Sequence, residues 1–213
     1  MEKEIIFHNV SEIRDGLKRI HEPIIKHVQS GSNIYLHTLL VWGLLNRNYE
    51  FTDTAIWAID NKRPQTAAHM LRGLIETLGF THYVLEQVLS IKDSKILSEK
   101  ISSLYFGSKK PNAQFKSINI ITCIDKATKT FPNLRANYDA LSEIVHPNGT
   151  SFAYSGKADP EGVENTALFG IPFYEFKEND EKKVTNQVGE CCYHIISLCS
   201  AIMTALTPSQ INK

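Results

Sequence analysis

From Gln65 to Leu89 apolar side chains recur at Leu71, Leu74 and Ile75, Leu78, Tyr83, Leu85 and Val88. That spacing lines one face of an α-helix, and it is the strongest such pattern in the chain. Pro64 stands where a proline suits the first turn, so a helix is expected from about residue 65 to 89. A chain organised around such a helix is expected to cover its apolar stripe with other helices.

The flanking segments agree with that expectation. Ser11 is placed to cap a helix through Leu17, Ile20, Ile24 and Val28, kinked or divided at Pro23. Gly31-Ser32-Asn33 breaks it and starts a second helix over about 33–46. Asn46-Arg47-Asn48-Tyr49 is expected to turn the chain, and Asp53 to cap a short helix through Trp57 and Ile59. Asp93 and Ser94 open a helix through Leu104, followed by a polar loop at Gly107–Pro111. A further helix is expected over Ser117–Thr130. Asn133 is expected to cap one that runs to His146 and stops at Pro147-Asn148-Gly149. Residues 150–176 differ: aromatic and β-branched residues interrupted by Gly156, Asp159-Pro160 and Gly170 are expected to form a small β-hairpin or ordered loop. Asp180 begins a final helix over about 181–206. The expected fold is an all-α multi-helix bundle with one small excursion near 150–176, in a single domain spanning 1–213.

Composition narrows the function classes. Lys+Arg and Asp+Glu number 23 each in 213 residues, and the pI is about 7.1, so no global field draws the chain to nucleic acid or an acidic membrane. The N-terminus lacks the apolar core of a secretory signal. Ile34–Leu45, read as the longest apolar run, is too short to span a bilayer, which takes about 20 residues. Cys123, Cys191, Cys192 and Cys199 have neither disulfide-framework nor zinc spacing. Cys192 and Cys199, seven apart on one helical face, are expected as small buried hydrophobes, in a reduced, cytoplasmic protein with no metal or cofactor.

The most informative stretch is Arg135–Asn148. On a helix, Leu134, Tyr138, Leu141 and Val145 form a buried stripe. Arg135, Asp139, Glu143 and His146 form a polar stripe beside it. A histidine in the last turn, one turn after Glu143, is stabilised as a cation and suits general acid–base work. The plainer reading is a solvated, salt-bridged face ending in a structural corner, where Pro147 sets the exit angle and Asn148 bonds local backbone. On the long helix Arg72 and Glu76 lie four apart, with His69 and Tyr83 within two turns. They form either a half-exposed ion pair or, if they share an interior space with Glu143 and His146, a pocket.

Two other chemistries have partial matches in the sequence. Glu143-x-x-His146 has the spacing of half a di-iron bundle site. Such sites need two pairs and further glutamates, and Glu190-x-x-x-His194 has the wrong spacing. Arg63-x5-His69 and Arg14-x6-His21 have the arginine–histidine spacing of ribonucleases of the HEPN superfamily. With six arginines, 8 histidines and three allowed spacings, about 0.7 such matches arise by chance, so two matches discriminate little.

The run Tyr138-Asp-Ala-Leu-Ser-Glu-Ile-Val-His-Pro-Asn148, followed by Tyr154-Ser155, Asp159 and Phe169-Gly170, resembles a family of uncharacterised bacterial helical proteins with an LSE-x-x-HPN signature. Arg72-x-x-x-Glu76 also resembles their Arg–Glu pair. The resemblance is firm over about 138–170 and carries no activity with it. A remoter similarity is to HEPN-like helical proteins of defence systems, whose arginine–histidine motif this chain does not reproduce around His146. The expected function is a non-enzymatic binding or regulatory module, a homo-oligomer that takes RNA or a small ligand and no membrane. Its acid–base candidates are His146, Glu143, Arg72 and Glu76, and its ligand contacts are Tyr138, Ser142, Asn148 and Tyr83. The alternatives are a metal-independent HEPN-like ribonuclease of a defence or toxin system and a metal-binding bundle.

Overall fold

The structure, a computed structural model, describes residues 36–146, 156–158, 167–169 and 178–206, with side chains over 36–146 and 181–206. The helix expected over 11–30 lies outside the described residues, as do Pro147 and Asn148.

Six helices are described: α1 (Leu36–Asp60), α2 (Pro64–Ser90), α3 (Ser94–Phe106), α4 (Ile120–Ala127), α5 (Leu134–Val145) and α6 (Glu178–Ala205). The architecture is an all-α multi-helix bundle. Two three-residue strands, β1 (Gly156–Ala158) and β2 (Ala167–Phe169), pair antiparallel with Lys157 opposite Leu168.

The long helix is central. Pro64 opens α2, and its buried Leu71, Leu74, Ile75, Leu78 and Val84 form the spine of the core. α1, α4, α5 and α6 all pack against it, and α1 also packs against α6. α6 contributes Val188, Cys191, Ile195, Cys199 and Ile202 at the three- and four-residue spacing of one buried face. By length and composition Glu181–Ala205 is long and apolar enough to cross a membrane, a test the shorter Ile34–Leu45 run does not meet. Part of that apolar surface lies against α1 and α2. All four cysteines are free and buried, and burial pushes the thiols up, to about 11 for Cys123 and Cys192 and about 12 for Cys191 and Cys199.

Two expected boundaries are overturned. Asn46–Tyr49 does not turn the chain and Asp53 does not cap a new helix; α1 runs unbroken from Leu36 to Asp60. Asn48 is fully buried and its Nδ2 donates to the Cys192 carbonyl (3.4 Å) and contacts Cys192 Sγ (3.5 Å), while Thr52 Oγ1 donates to Asn48 Oδ1 (3.4 Å). Partners on α6 and one turn along satisfy an amide that would otherwise favour a turn. Asp93 and Asn119 cap α3 and α4 through side-chain oxygens. Asn133 precedes α5 as expected but sits left-handed at φ 69°, and its side chain caps nothing. It closes the turn in which Leu134 N–H donates to the Phe131 carbonyl (3.2 Å), a conformation asparagine tolerates.

Candidate functional site

Where α1, α2 and α5 meet, two arginines and a tyrosine surround one carboxylate. Arg72 and Glu76, one turn apart on α2, approach to 3.5 Å (Nη2 to Oε1). Arg72 Nη2 donates to Tyr138 Oη at 2.8 Å, and Tyr138 Oη donates to Glu76 Oε1 at 3.4 Å. From α1, Arg47 Nη2 lies 3.6 Å from Glu76 Oε2, and its Nε donates to Thr77 Oγ1 at 3.0 Å. The Arg72 and Glu76 side chains are 25% and 23% exposed, and Arg47 is 47% exposed. The site is therefore an open, half-desolvated ion cluster with one more positive charge than negative. Behind it, Arg72 Nε is buried with no hydrogen-bond partner.

Backbone and packing place these groups. Thr77 Oγ1 returns its own proton to the Gly73 carbonyl (2.7 Å), leaving its oxygen to accept from Arg47. The Arg47 guanidinium lies 4.4 Å from the Phe51 ring centre, a cation–π contact one turn along α1. That ring occupies the space a Cβ at Gly73 would need, at 2.6 Å, so glycine on α2 is what lets Phe51 sit beneath Arg47.

The candidates from the sequence are divided by the fold. Arg72, Glu76 and Tyr138 come together. Ser142 bonds its hydroxyl to the Tyr138 carbonyl (2.8 Å) within α5. Glu143 and His146 lie on the exposed side of the last turn of α5, where His146 N–H donates to the Ser142 carbonyl (2.9 Å) as its backbone leaves the helix. What α5 brings to the Arg72–Glu76 pair is thus its buried stripe, not its polar one. The first half of the polar stripe is a surface network. Arg135 holds Asp139 through Nε (2.9 Å) and Asp125 through Nη1 (2.6 Å), and these bonds raise the Arg135 pKa. Tyr83 is buried in a separate cluster, with Lys126 and Lys100 ammonium groups 4.9 and 5.4 Å from its ring centre. Asn148, Arg14 and His21 lie outside the described residues. Among the described residues no three His, Cys, Asp or Glu side chains converge as a metal site.

Two residues carry little local signal. Arg47 stands in a segment of turn-like composition; the four-residue step to Phe51, with no intervening Gly or Pro, is the one sign of helix there. His82 is 9% exposed and its Nε2 meets Thr130 Oγ1 at 3.0 Å, while Nδ1 is buried without a partner. Burial lowers its pKa; Glu86 opposes that effect and Lys126 adds to it. No local pattern marks a histidine whose environment is made by α2 and the segment after α4.

The chain matches no protein-family model, no curated protein and no solved structure.

Proposed function

We propose that this protein is a non-enzymatic binding module whose Arg47–Glu76–Arg72–Tyr138 cluster receives the anionic group of a small ligand or of RNA. The observation that carries this reading is the convergence of two guanidinium groups on a single carboxylate, at 3.5 and 3.6 Å, in a half-exposed setting. Glu76 neutralises one of them and holds both in place. The remaining charge complements a phosphate or carboxylate, which arginine's fork binds well. Tyr138 and Thr77, the hydroxyl groups in contact with the cluster, are occupied by its arginines. Free buried thiols fit a cytoplasmic setting, and exposed Trp57 and Tyr193, on helices that pack together, fit a homo-oligomer.

The test is a thermal-shift screen of wild type, Arg47→Gln and His146→Ala against nucleotides, short RNA and divalent metals. A ligand at about 100 times its Kd should raise the Tm by about 5–10 °C in wild type and by little in Arg47→Gln. A shift that survives in Arg47→Gln and vanishes in His146→Ala would move the site to the end of α5. A shift with divalent metal alone would favour the metal-binding reading.

A second reading, a metal-independent ribonuclease, is favoured by one observation. His69 is exposed and its Nδ1 faces the Gln65 carbonyl at 2.8 Å, an acceptor that holds the proton on Nδ1 and leaves Nε2 as a base. RNA cleavage that persists in EDTA and is lost in His69→Ala would establish it.

A further inference from the structure

Away from the arginine cluster, a half-open cavity of about 380 Å³ lies between α2, α3 and the segment that joins α3 to α4. Its apolar lining comes from Phe80, Leu104, Ile118 and Ile120, and its polar lining includes Lys100 and Lys116. Small-ligand sites occupy roughly 300–1,000 Å³, so the size fits an organic ligand, and the mixed lining suits one that is part apolar and part polar.

The charge balance defines the ligand further. Among the described residues neither lysine makes an ion pair. Lys100 Nζ rests 5.4 Å from the Tyr83 ring centre, and Lys116 Nζ donates to the carbonyls of Lys110 (3.1 Å) and Pro111. Two lysines therefore stand in the lining of a partly apolar cavity that has no carboxylate in its lining. The mouth is fixed by backbone: a Cβ at Gly107 would lie 2.7 Å from the Ser103 carbonyl oxygen and 3.0 Å from Ser117 Cα. Ser108 N–H donates to the Phe115 carbonyl (3.0 Å) and Ser117 N–H to the Ser108 carbonyl (3.2 Å), so the connecting segment is pinned where it closes the cavity.

We infer that this cavity is a second binding site, for an amphipathic organic anion whose apolar body enters between Phe80, Leu104 and Ile120 while its charged group meets Lys100 and Lys116. The inference stands independently of the arginine cluster.

The probe is 1-anilinonaphthalene-8-sulfonate, which joins an aromatic body to one anionic group, followed by its fluorescence on titration into the full chain. Saturable one-site binding is expected in wild type. The Lys100→Gln/Lys116→Gln double variant should bind at least about tenfold more weakly, because hydrogen bonds to charged groups are worth about that factor each. Ser103→Trp, which fills the cavity from a lining residue outside the core, should abolish binding while its circular dichroism melting curve stays close to wild type. Displacement of the probe by decanoate or by 1-naphthyl phosphate would show whether the natural body is aliphatic or aromatic. Undiminished binding to a folded Ser103→Trp or to the double variant, or displacement by neither competitor, would overturn the inference. Arg47→Gln should leave probe binding unchanged, which separates this site from the arginine cluster.

Discussion

Arg72 holds Tyr138 in two ways at once: its Nη2 donates to the phenol oxygen at 2.8 Å, and its guanidinium carbon lies 5.0 Å from the ring centre. This pair fastens α5 to α2 and leaves the phenol proton for Glu76. Removing the hydroxyl in Tyr138→Phe keeps the ring in the core and deletes both hydrogen bonds. Stability should fall by about 1–2 kcal/mol in urea unfolding, and a ligand held by Arg72 should bind more weakly because the guanidinium loses an anchor.

Asn48 provides a sharper test of the α1–α6 contact. Its buried amide donates to α6 and accepts from Thr52. Asn48→Asp substitutes a carboxylate for the donor and faces it toward the Cys192 carbonyl and sulfur. A loss of about 3 kcal/mol is expected at pH 7. The loss should be smaller at pH 5, where the buried acid takes up a proton more readily; urea midpoints at the two values check this.

Two glycines should respond in opposite directions to alanine. A Cβ at Gly79 would meet Ile124 at Cγ1 (3.0 Å) and at backbone Cα and N (both 3.2 Å), so Gly79→Ala must move α4 away from α2. It should destabilise by about 1–3 kcal/mol despite alanine's better helix propensity. Gly43 is exposed on α1 with open space where a Cβ would be, and Gly43→Ala should stabilise by about 0.5–1 kcal/mol. Thermal melts of the two variants make the comparison.

Stability should also decline on mild acidification. His82 and His37 have pKa values lowered below 6.5 by burial, so the fold favours their neutral forms. In the unfolded chain each takes up its proton near 6.5. Their contribution is therefore complete above that value and is lost as pH falls toward the lower folded pKa. The Tm of wild type should drop between pH 7.5 and 5.5, and His82→Gln should drop less. An identical decline in the variant would assign the effect to other groups.

Local rules were enough for much of this fold. Pro64 and the 3.6-residue spacing through Val88 define α2, Asp93 caps α3, and the apolar steps from Val188 to Ile202 orient α6. Each of these depends on residues within a turn or two of one another, where propensity and periodicity operate. The Arg72–Glu76 pair was visible for the same reason, as a one-turn step on a recognisable helix.

The rest was decided by partners distant in sequence. Asn46–Tyr49 has a turn's composition, and it stays helical where Cys192 on α6, together with Thr52, satisfies the Asn48 amide. Arg47 enters the site because α1 continues past that point and because Gly73 makes room for Phe51. Tyr138, rather than Glu143 or His146, reaches Arg72 because the apolar face of α5 is the one driven against α2, which leaves its charged face in water. The sequence by itself determined most of the helical segments, Asn46–Tyr49 excepted, and which of their faces are apolar. Tertiary packing decided which polar groups meet across helices, since burial drives most of them to find a partner, and for Glu76, Arg72 and Asn48 a partner lies on another helix, at Arg47, Tyr138 and Cys192.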